Sequence, residues 1–400
     1  MNEFFGQIFL PVLFLLFLAA TVGQLACWVG VFGGFAWFIT VAGAPPCPPL
    51  KGGSTSSGGE PLDGDNQTVF PVSIVICARD EAENLCRHLP LWLSQAYAGD
   101  WELLVVDDAS EDATPEVLAF FQQNNTRLRV LRLAEKKSLG KKVALAQGIA
   151  AARYEHLVLT DADCAPAGPH WLAHMAGCLA ETPDTEIALG YAPLSARSGL
   201  LNSWARFETA YTALQYFAFA RIGMPYMGVG RNLAWKKSLF QQAGGFVRHA
   251  DLPSGDDDLL VNAVAKPGRV ALCLTPASFV YSAAKTTWAA WLRQKQRQLG
   301  TGLRYRRTHQ VVLGAVAAAQ TLHYFFALLL LLAGYHPVLV LAIWLLRLGL
   351  VGLVWRRVLR GFEERELLMW VPVLDILLAI YYAGFVPWVF LSTGRSVRWK

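Results

Sequence analysis

The sequence predicts an α/β domain on a mostly parallel sheet, flanked by transmembrane helices. Two observations lead there. Hydrophobic residues make up 54% of the 400 and charged ones 16%, where soluble chains are about a quarter charged. The charge is also concentrated, with 5 charged residues before Phe70 and 12 after Gln310. In the charged middle, short apolar strands alternate with helical stretches, the pattern of a parallel sheet covered on both faces. This composition excludes a disordered chain, a charged-tail protein and an ordinary cytosolic enzyme.

Residues 4–50 carry no charge, and residues 4–42 exceed the span of about 20 apolar residues that crosses a hydrocarbon core. A cleaved signal is disfavoured, because Glu3 is the only early charge and the run is too long. Residues 1–43 therefore read as an anchor, either one helix or two short ones meeting near Gly33 and Gly34. Residues 44–69 have the Pro/Gly/Ser composition of a linker. The seven cysteines are odd in number and lack CxxC or Cys/His spacing. That argues against a disulfide scaffold or zinc site and for a reducing compartment.

Residues 70–285 read as the catalytic block. Strands are expected over 72–77, 103–106 and 156–160, with helices over 83–95, 115–123 and 141–152. Ligands on such sheets bind at the carboxyl ends of strands. There the first strand runs into Arg79, Asp80 and Glu81, the second into Asp107 and Asp108, and the third into Asp161 and Asp163. Helix capping explains one such residue per turn, with Ser110 a candidate cap. It does not explain paired carboxylates, which repel unless a cation or donors lie between them. Mg²⁺ or Mn²⁺ with a diphosphate is the usual partner. Lys136, Lys137, Lys141 and Lys142 surround Gly140 at a helix start, as an anion site or as a solvated basic turn. Gly228 to Asn232 form a glycine-bearing turn. Asp256, Asp257 and Asp258 precede a helix, and a general base needs one carboxylate pushed toward neutrality.

Residues 286–310 mix Trp288, Trp291 and Leu292 with basic residues, as an amphipathic helix on the membrane surface does. Gln294 and Arg297 lie within it, the arginine suited to a diphosphate. Residues 311–400 hold three more apolar runs: 311–334, 337–354 with Arg347, and 367–392 with Asp375. Arg347 and Asp375, costly in lipid, are read as one helix-to-helix ion pair in preference to a translocation pathway. Arg356, Arg357 and Arg360 mark a cytoplasmic loop, and the catalytic block, two spans away, shares that side. The tail with Arg395, Arg398 and Lys400 then falls outside, unless the last run turns back near Pro387.

These motifs, in this order, resemble the membrane-bound inverting family 2 glycosyltransferases of GT-A fold, which include ceramide glucosyltransferases and cellulose and hyaluronan synthase-like enzymes. The resemblance covers roughly residues 71–300 and the flanking spans. It implies that Arg79, Glu81, Asp107, Asp108, Lys141, Asp161, Gln294 and Arg297 bind the donor and that Asp161 and Asp163 hold the divalent cation, Asp163 nearest. It implies that Asp257, beside Asp256, is the base. The family's QxxRW motif has Gln298 in place of its Trp, which favours single transfer over chain elongation unless Trp235 or Trp291 substitutes. The implied partners are a nucleotide-sugar, a UDP-sugar first, and a lipid or lipid-linked glycan acceptor, with no nucleic acid. The implied location is the plasma (inner) membrane with the catalytic domain cytoplasmic. A nucleotidyltransferase would need a glycine-rich dinucleotide loop, which is absent. A transporter would need polar residues through the spans. An inactive sugar-nucleotide-binding protein would have no need of every carboxylate set.

Overall fold

The structure is a computed structural model that describes residues 8–41, 69–135 and 140–392. The linker reading over 44–68, Lys136, Lys137 and the basic tail lie outside the described residues. Leu10–Leu25 (α1), a π-helical stretch Ala26–Phe32 and Gly33–Val41 (α2) follow one another in helical backbone. The anchor is thus one helix rather than two meeting at Gly33.

The strand–helix alternation then follows: β1 (Val72–Ala78), α3 (Ala82–Leu93), β2 (Trp101–Asp107), α4 (Thr114–Gln123), β3 (Leu128–Arg132), α5 (Lys142–Ala151) and β4 (His156–Asp161). Shorter elements come next: β5 (Cys164–Pro166), α6 (Trp171–Leu179), β6 (Ile187–Gly190), α7 (Leu200–Arg221), β7 (Leu233–Lys236), α8 (Lys237–Gln242), α9 (Asp258–Val264), β8 (Val270–Cys273) and β9 (Val280–Ser282). The chain ends with α10 (Trp288–Leu299), α11 (Arg307–Leu332), α12 (Pro337–Gly361), α13 (Val371–Ile380) and α14 (Val386–Ser392).

The chain divides into two compact units. One holds the sheet, over residues 69–196 and 223–285. Its seven strands run in the order β3-β2-β1-β4-β7-β6-β8. Strands β3, β2, β1 and β4 are parallel, β7 is antiparallel to both neighbours, and β6 is parallel to β8. The central strands β1 and β2 are apolar and β-branched because helices cover both their faces. Their register sets the site, pairing Ala78 with Asp107 and Cys77 with Asp161 at one edge. Leu85, Leu89, Trp92, Trp171 and Leu172 pack one face. On the other, α5 comes so close that a Cβ at Gly148 would stand 2.7 Å from Val106.

One cysteine pairing had no signal in the sequence. Cys178 of α6 and Cys273 of β8 form a disulfide, with Cα atoms 6.1 Å apart and a sequence separation of 95. Counting cysteines and their local spacings cannot see a pair that only the packing of α6 on β8 brings together. Among the described residues it is one bridge and not a scaffold.

The second unit gathers the apolar helices with α7 and α10. Four helices are long and apolar enough to cross a membrane: Leu10–Thr40, Arg307–Leu332, Pro337–Gly361 and Arg365–Val389. The last continues through a π-helical turn at Tyr381–Phe385 without a hairpin at Pro387. Helix α7 lies inside the segment read as one catalytic block, yet it belongs to this unit. Its aromatic residues explain why: Phe207 and Tyr211 pack on Trp355, and Phe217 stacks on Phe35. Arg206 of α7 pairs with Glu364 and, at 2.6 Å, with Glu366, while Glu208 pairs with Lys295 of α10.

Arg347 and Asp375 form the expected ion pair, both fully buried. Every candidate span contributes a partner. Gln24 Oε1 accepts from Arg347 Nε at 2.6 Å. Tyr324 donates its hydroxyl to Asp375 and accepts from Arg347, and Gln320 donates to Asp375 Oδ1 at 3.0 Å.

Candidate active site

The carboxyl ends of β1, β2 and β4 lie side by side, so the turns that leave them build one rim. Asp80 and Ala109, each the second residue after its strand, both take left-handed backbone with φ 54°, uncommon outside glycine. The turns are laced together: the Asp80 N–H donates to Ser110 Oγ at 3.0 Å, and Asp80 Oδ1 accepts the Glu111 N–H at 2.8 Å. Ser110 is therefore tied to the neighbouring turn and is not the cap of α4.

Asp107 is buried, and its Oδ1 accepts the Ser110 N–H at 3.0 Å. Its Oδ2 lies 3.6 Å from Arg132 Nε and has no hydrogen-bond partner among the described residues. Beside it opens a cleft of about 670 Å³ lined by Arg79, Ser110, Glu111, Arg132, Leu133 and Glu135, among others. Arg79 donates to the Asp108 carbonyl and to Glu111 Oε1, each at 3.2 Å. Asp108 is buried, with its N–H on the Ala78 carbonyl. Arg132 had no signal in the sequence, because the short strand β3 was not foreseen.

At the end of β4, one ligand atom each from Asp161, Asp163 and Cys164 lie within 4.8 Å of one another. Two carboxylates suit a hard cation such as Mg²⁺ or Mn²⁺. Burial pushes the Cys164 thiol well above its usual range, and it donates to Asp163 Oδ1 at 3.4 Å. The thiol thus serves the carboxylate, and Asp161 and Asp163 fit the cation. Glu81 lies within their field: burial first, then Asp163 and Asp161, push its carboxyl up, while the Asn84 amide on Glu81 Oε2 at 2.6 Å opposes this.

Lys141 links this pair to the acidic triplet. Its Nζ lies 2.7 Å from Asp161 Oδ1 and 3.1 Å from Asp256 Oδ2. Burial alone would lower its pKa, but Asp161, Asp256 and Asp257 together hold it well above the usual value. Lys142 points elsewhere, buried, donating to the carbonyls of His249 at 2.5 Å and Leu252 at 3.0 Å. Lys141 is partly exposed and Lys142 buried, so the expected alternatives of anion site or basic surface turn both miss Lys142.

Asp257 precedes α9. Its Oδ1 accepts the Asp258 N–H at 2.8 Å and its Oδ2 the Gly230 N–H at 2.6 Å. Burial, then Asp256 and Asp258, push its carboxyl up to about 7, against the lowering by Lys141 and the Gly230 N–H. Gly230 has a reason to be glycine, since a Cβ there would stand 3.1 Å from Asp257 Oδ2. Asp258 is buried, with Oδ1 on the Leu259 N–H at 2.8 Å.

Gln294 and Arg297 lie on α10, in the other unit. Trp235 is buried in β7, and Trp291 is buried among Trp204, Tyr381 and Phe385. Neither offers a free ring face in place of the motif tryptophan, which corrects the suggestion that one of them substitutes.

A mostly parallel sheet with carboxylates gathered at the ends of three of its strands is the arrangement of a domain that binds its ligand at the strand ends. The chain belongs to the glycosyltransferase family described as "Glycosyltransferase like family 2", which residues 70–301, more than half its length, match. Among curated proteins it is 34% identical over 96 residues to the glycosyltransferase AglE of Haloferax volcanii, covering 24% of this chain and 31% of that one. It is 32% identical over 99 residues to the beta-monoglucosyldiacylglycerol synthases of Trichormus variabilis and Nostoc sp., covering 23% of this chain and 20% of theirs. The matches thus span less than a third of these relatives' lengths. The solved mannosyltransferase PcManGT of Pyrobaculum calidifontis, in complex with GDP-Man and Mn²⁺, shares the fold at TM-score 0.52 and 20% identity, over 90% of this chain and 98% of that one.

Proposed function

We propose that this protein transfers one sugar from a nucleotide-sugar, a UDP-sugar, to a lipid or lipid-linked acceptor with inversion, at the cytoplasmic face of the plasma membrane. The observation that carries the proposal is Asp257, a fixed carboxyl brought to about 7 by burial and its acidic neighbours. That is the range in which a base both accepts a proton and stands ready at neutral pH. In this scheme Asp257 takes the proton of the acceptor hydroxyl. The acceptor oxygen attacks the anomeric carbon from the face opposite the phosphate. The bond from that carbon to the diphosphate oxygen breaks, and its electron pair leaves with the nucleoside diphosphate. A Mg²⁺ or Mn²⁺ held by Asp161 and Asp163 would neutralise the leaving diphosphate. Asp107 fits the nucleoside, because its buried Oδ2 beside the cleft, without a hydrogen bond among the described residues, would accept an N–H of the base. The roles of Gln294 and Arg297 rest on family resemblance alone.

Two features support a lipid acceptor: four helices long and apolar enough to cross a membrane, and relatives named as glycolipid synthases. Single transfer is favoured by Gln298 in the motif and by the burial of Trp235 and Trp291. Detergent-solubilised protein, labelled UDP-sugars and a membrane lipid extract test the proposal. The expected result is one labelled sugar on a lipid, with inverted anomeric configuration, abolished by EDTA. Full turnover in EDTA, or a labelled polymer, would overturn the corresponding part.

A further inference from the structure

One turn of the sheet unit reaches the acidic loop with three consecutive residues. Gly140, at φ +84°, leaves no room for a side chain, since a Cβ would stand 2.4 Å from the Pro253 carbonyl oxygen. Lys142 holds the carbonyls of His249 and Leu252. Between them, the Lys141 ammonium lies 2.7 Å from one carboxylate of the cation pair and 3.1 Å from one carboxylate of the triplet. A lysine at a helix start opposes the helix dipole, and α5 begins at the next residue. These two carboxylates offset that cost, so the lysine is held by the site and not by the helix. Asp161 and Asp256 come from β4 and from the loop before α9, and this ammonium is a direct bond of both.

We propose that Lys141 is the resident cation of this pocket: it compensates Asp161 until a divalent cation, arriving with a nucleotide diphosphate, takes that carboxylate, after which it stays with Asp256. A charge this close to a ligand oxygen opposes a second cation on the same oxygen. The free protein therefore binds metal weakly, and the nucleotide is what makes binding tight. Lys141 acts here through Asp161 and is a positioning residue. The inference rests on the cation site assigned above to Asp161 and Asp163.

The test is a titration of the full chain in detergent with Mn²⁺ alone, reading free Mn²⁺ by its paramagnetic resonance signal, then repeated with UDP. Without nucleotide, Lys141→Met binds Mn²⁺ roughly tenfold tighter than the unchanged chain, and Lys141→Arg, which keeps the charge, binds as weakly as that chain. Lys141→Gln keeps an N–H toward the carboxylates but drops the charge. It shows the same tightening and serves if the methionine variant does not fold. With UDP, the difference narrows. Equal Mn²⁺ affinity in the unchanged chain and both neutral variants would overturn the inference while leaving the cation site in place. No Mn²⁺ binding by any of them, even with UDP, would remove the site and the inference with it.

Discussion

Asp257 is bound through both oxygens to backbone N–H groups and still has its carboxyl near 7. Below that pH it carries the proton and cannot act as a base; above it the carboxylate is free to accept one. The rate should therefore rise with pH along a limb centred near 7, read as kcat/KM against pH, which reports the free enzyme. Asp256→Asn, which removes a like charge, should move that limb to lower pH. Asp257→Asn should cost roughly 10²–10⁴-fold in kcat with UDP affinity kept, while Asp258→Asn, whose amide oxygen still serves the Leu259 N–H, should be the mildest of the three. A full kcat in Asp257→Asn would mean that this residue only caps α9. The residue types and their strand ends were legible in the sequence, because a carboxylate pair after an apolar run has few structural uses. The sharing of Lys141 between Asp161 and Asp256 was not, since Lys141 and Asp256 are 115 positions apart and only the fold joins them. Lys142 was misread for the same reason: a lysine beside a lysine looks like surface until the carbonyls it meets are known.

At the scale of elements, the parallel strands were readable and the rest of the sheet was not. Strands β1, β2 and β4 have 6 or 7 residues, each with at least three apolar residues in a row, enough for pattern to speak. Strands β6, β7 and β8 have 4 residues each, too few to show a period, and the antiparallel placement of β7 depends on partners rather than on its own sequence. The turn from Gly228 to Asn232 has the most direct consequence for chemistry. Its geometry is fixed from both sides: a Cβ at Gly228 would stand 2.8 Å from Leu233, and Asn232 donates to the carbonyls of Tyr191 and Ser278, each at 2.8 Å. The turn cannot retreat, so a side chain at Gly230 must displace Asp257 instead. Gly230→Ala should lower kcat by at least about tenfold, since a misplacement of about 1 Å can cost roughly a hundredfold, with Kd for UDP unchanged by calorimetry. A parallel loss of UDP binding would show that the turn supports the donor rather than the base.

At the scale of the whole molecule, the apolar unit is held by a polar centre to which each of its four long helices contributes. The sequence shows Arg347 and Asp375 as two isolated charges in apolar runs, and the cost of an unpaired charge in lipid was enough to pair them. Gln24, Gln320 and Tyr324 gave no such signal, because neutral polar residues are tolerated singly within spans. The network makes no use of the sheet unit's carboxylates, which is the distribution expected if chemistry and membrane anchoring are separate tasks. Its energetics are asymmetric. Removing one partner of a buried pair leaves the other charge uncompensated, at a cost of about 3–5 kcal/mol, whereas replacing both with apolar residues of similar size is often close to neutral. Arg347→Met alone should therefore lower resistance to unfolding in mixed dodecyl sulfate micelles, and Asp375→Leu alone should do the same. The double variant Arg347→Met/Asp375→Leu should recover most of the loss, leaving only the hydrogen bonds of Gln24, Gln320 and Tyr324 unmade. Donor affinity in the double variant, measured with UDP, should match the unchanged chain if the pair serves only to join helices. A double variant as unstable as either single one would show that the polar centre as a whole, and not charge compensation, holds the four helices together.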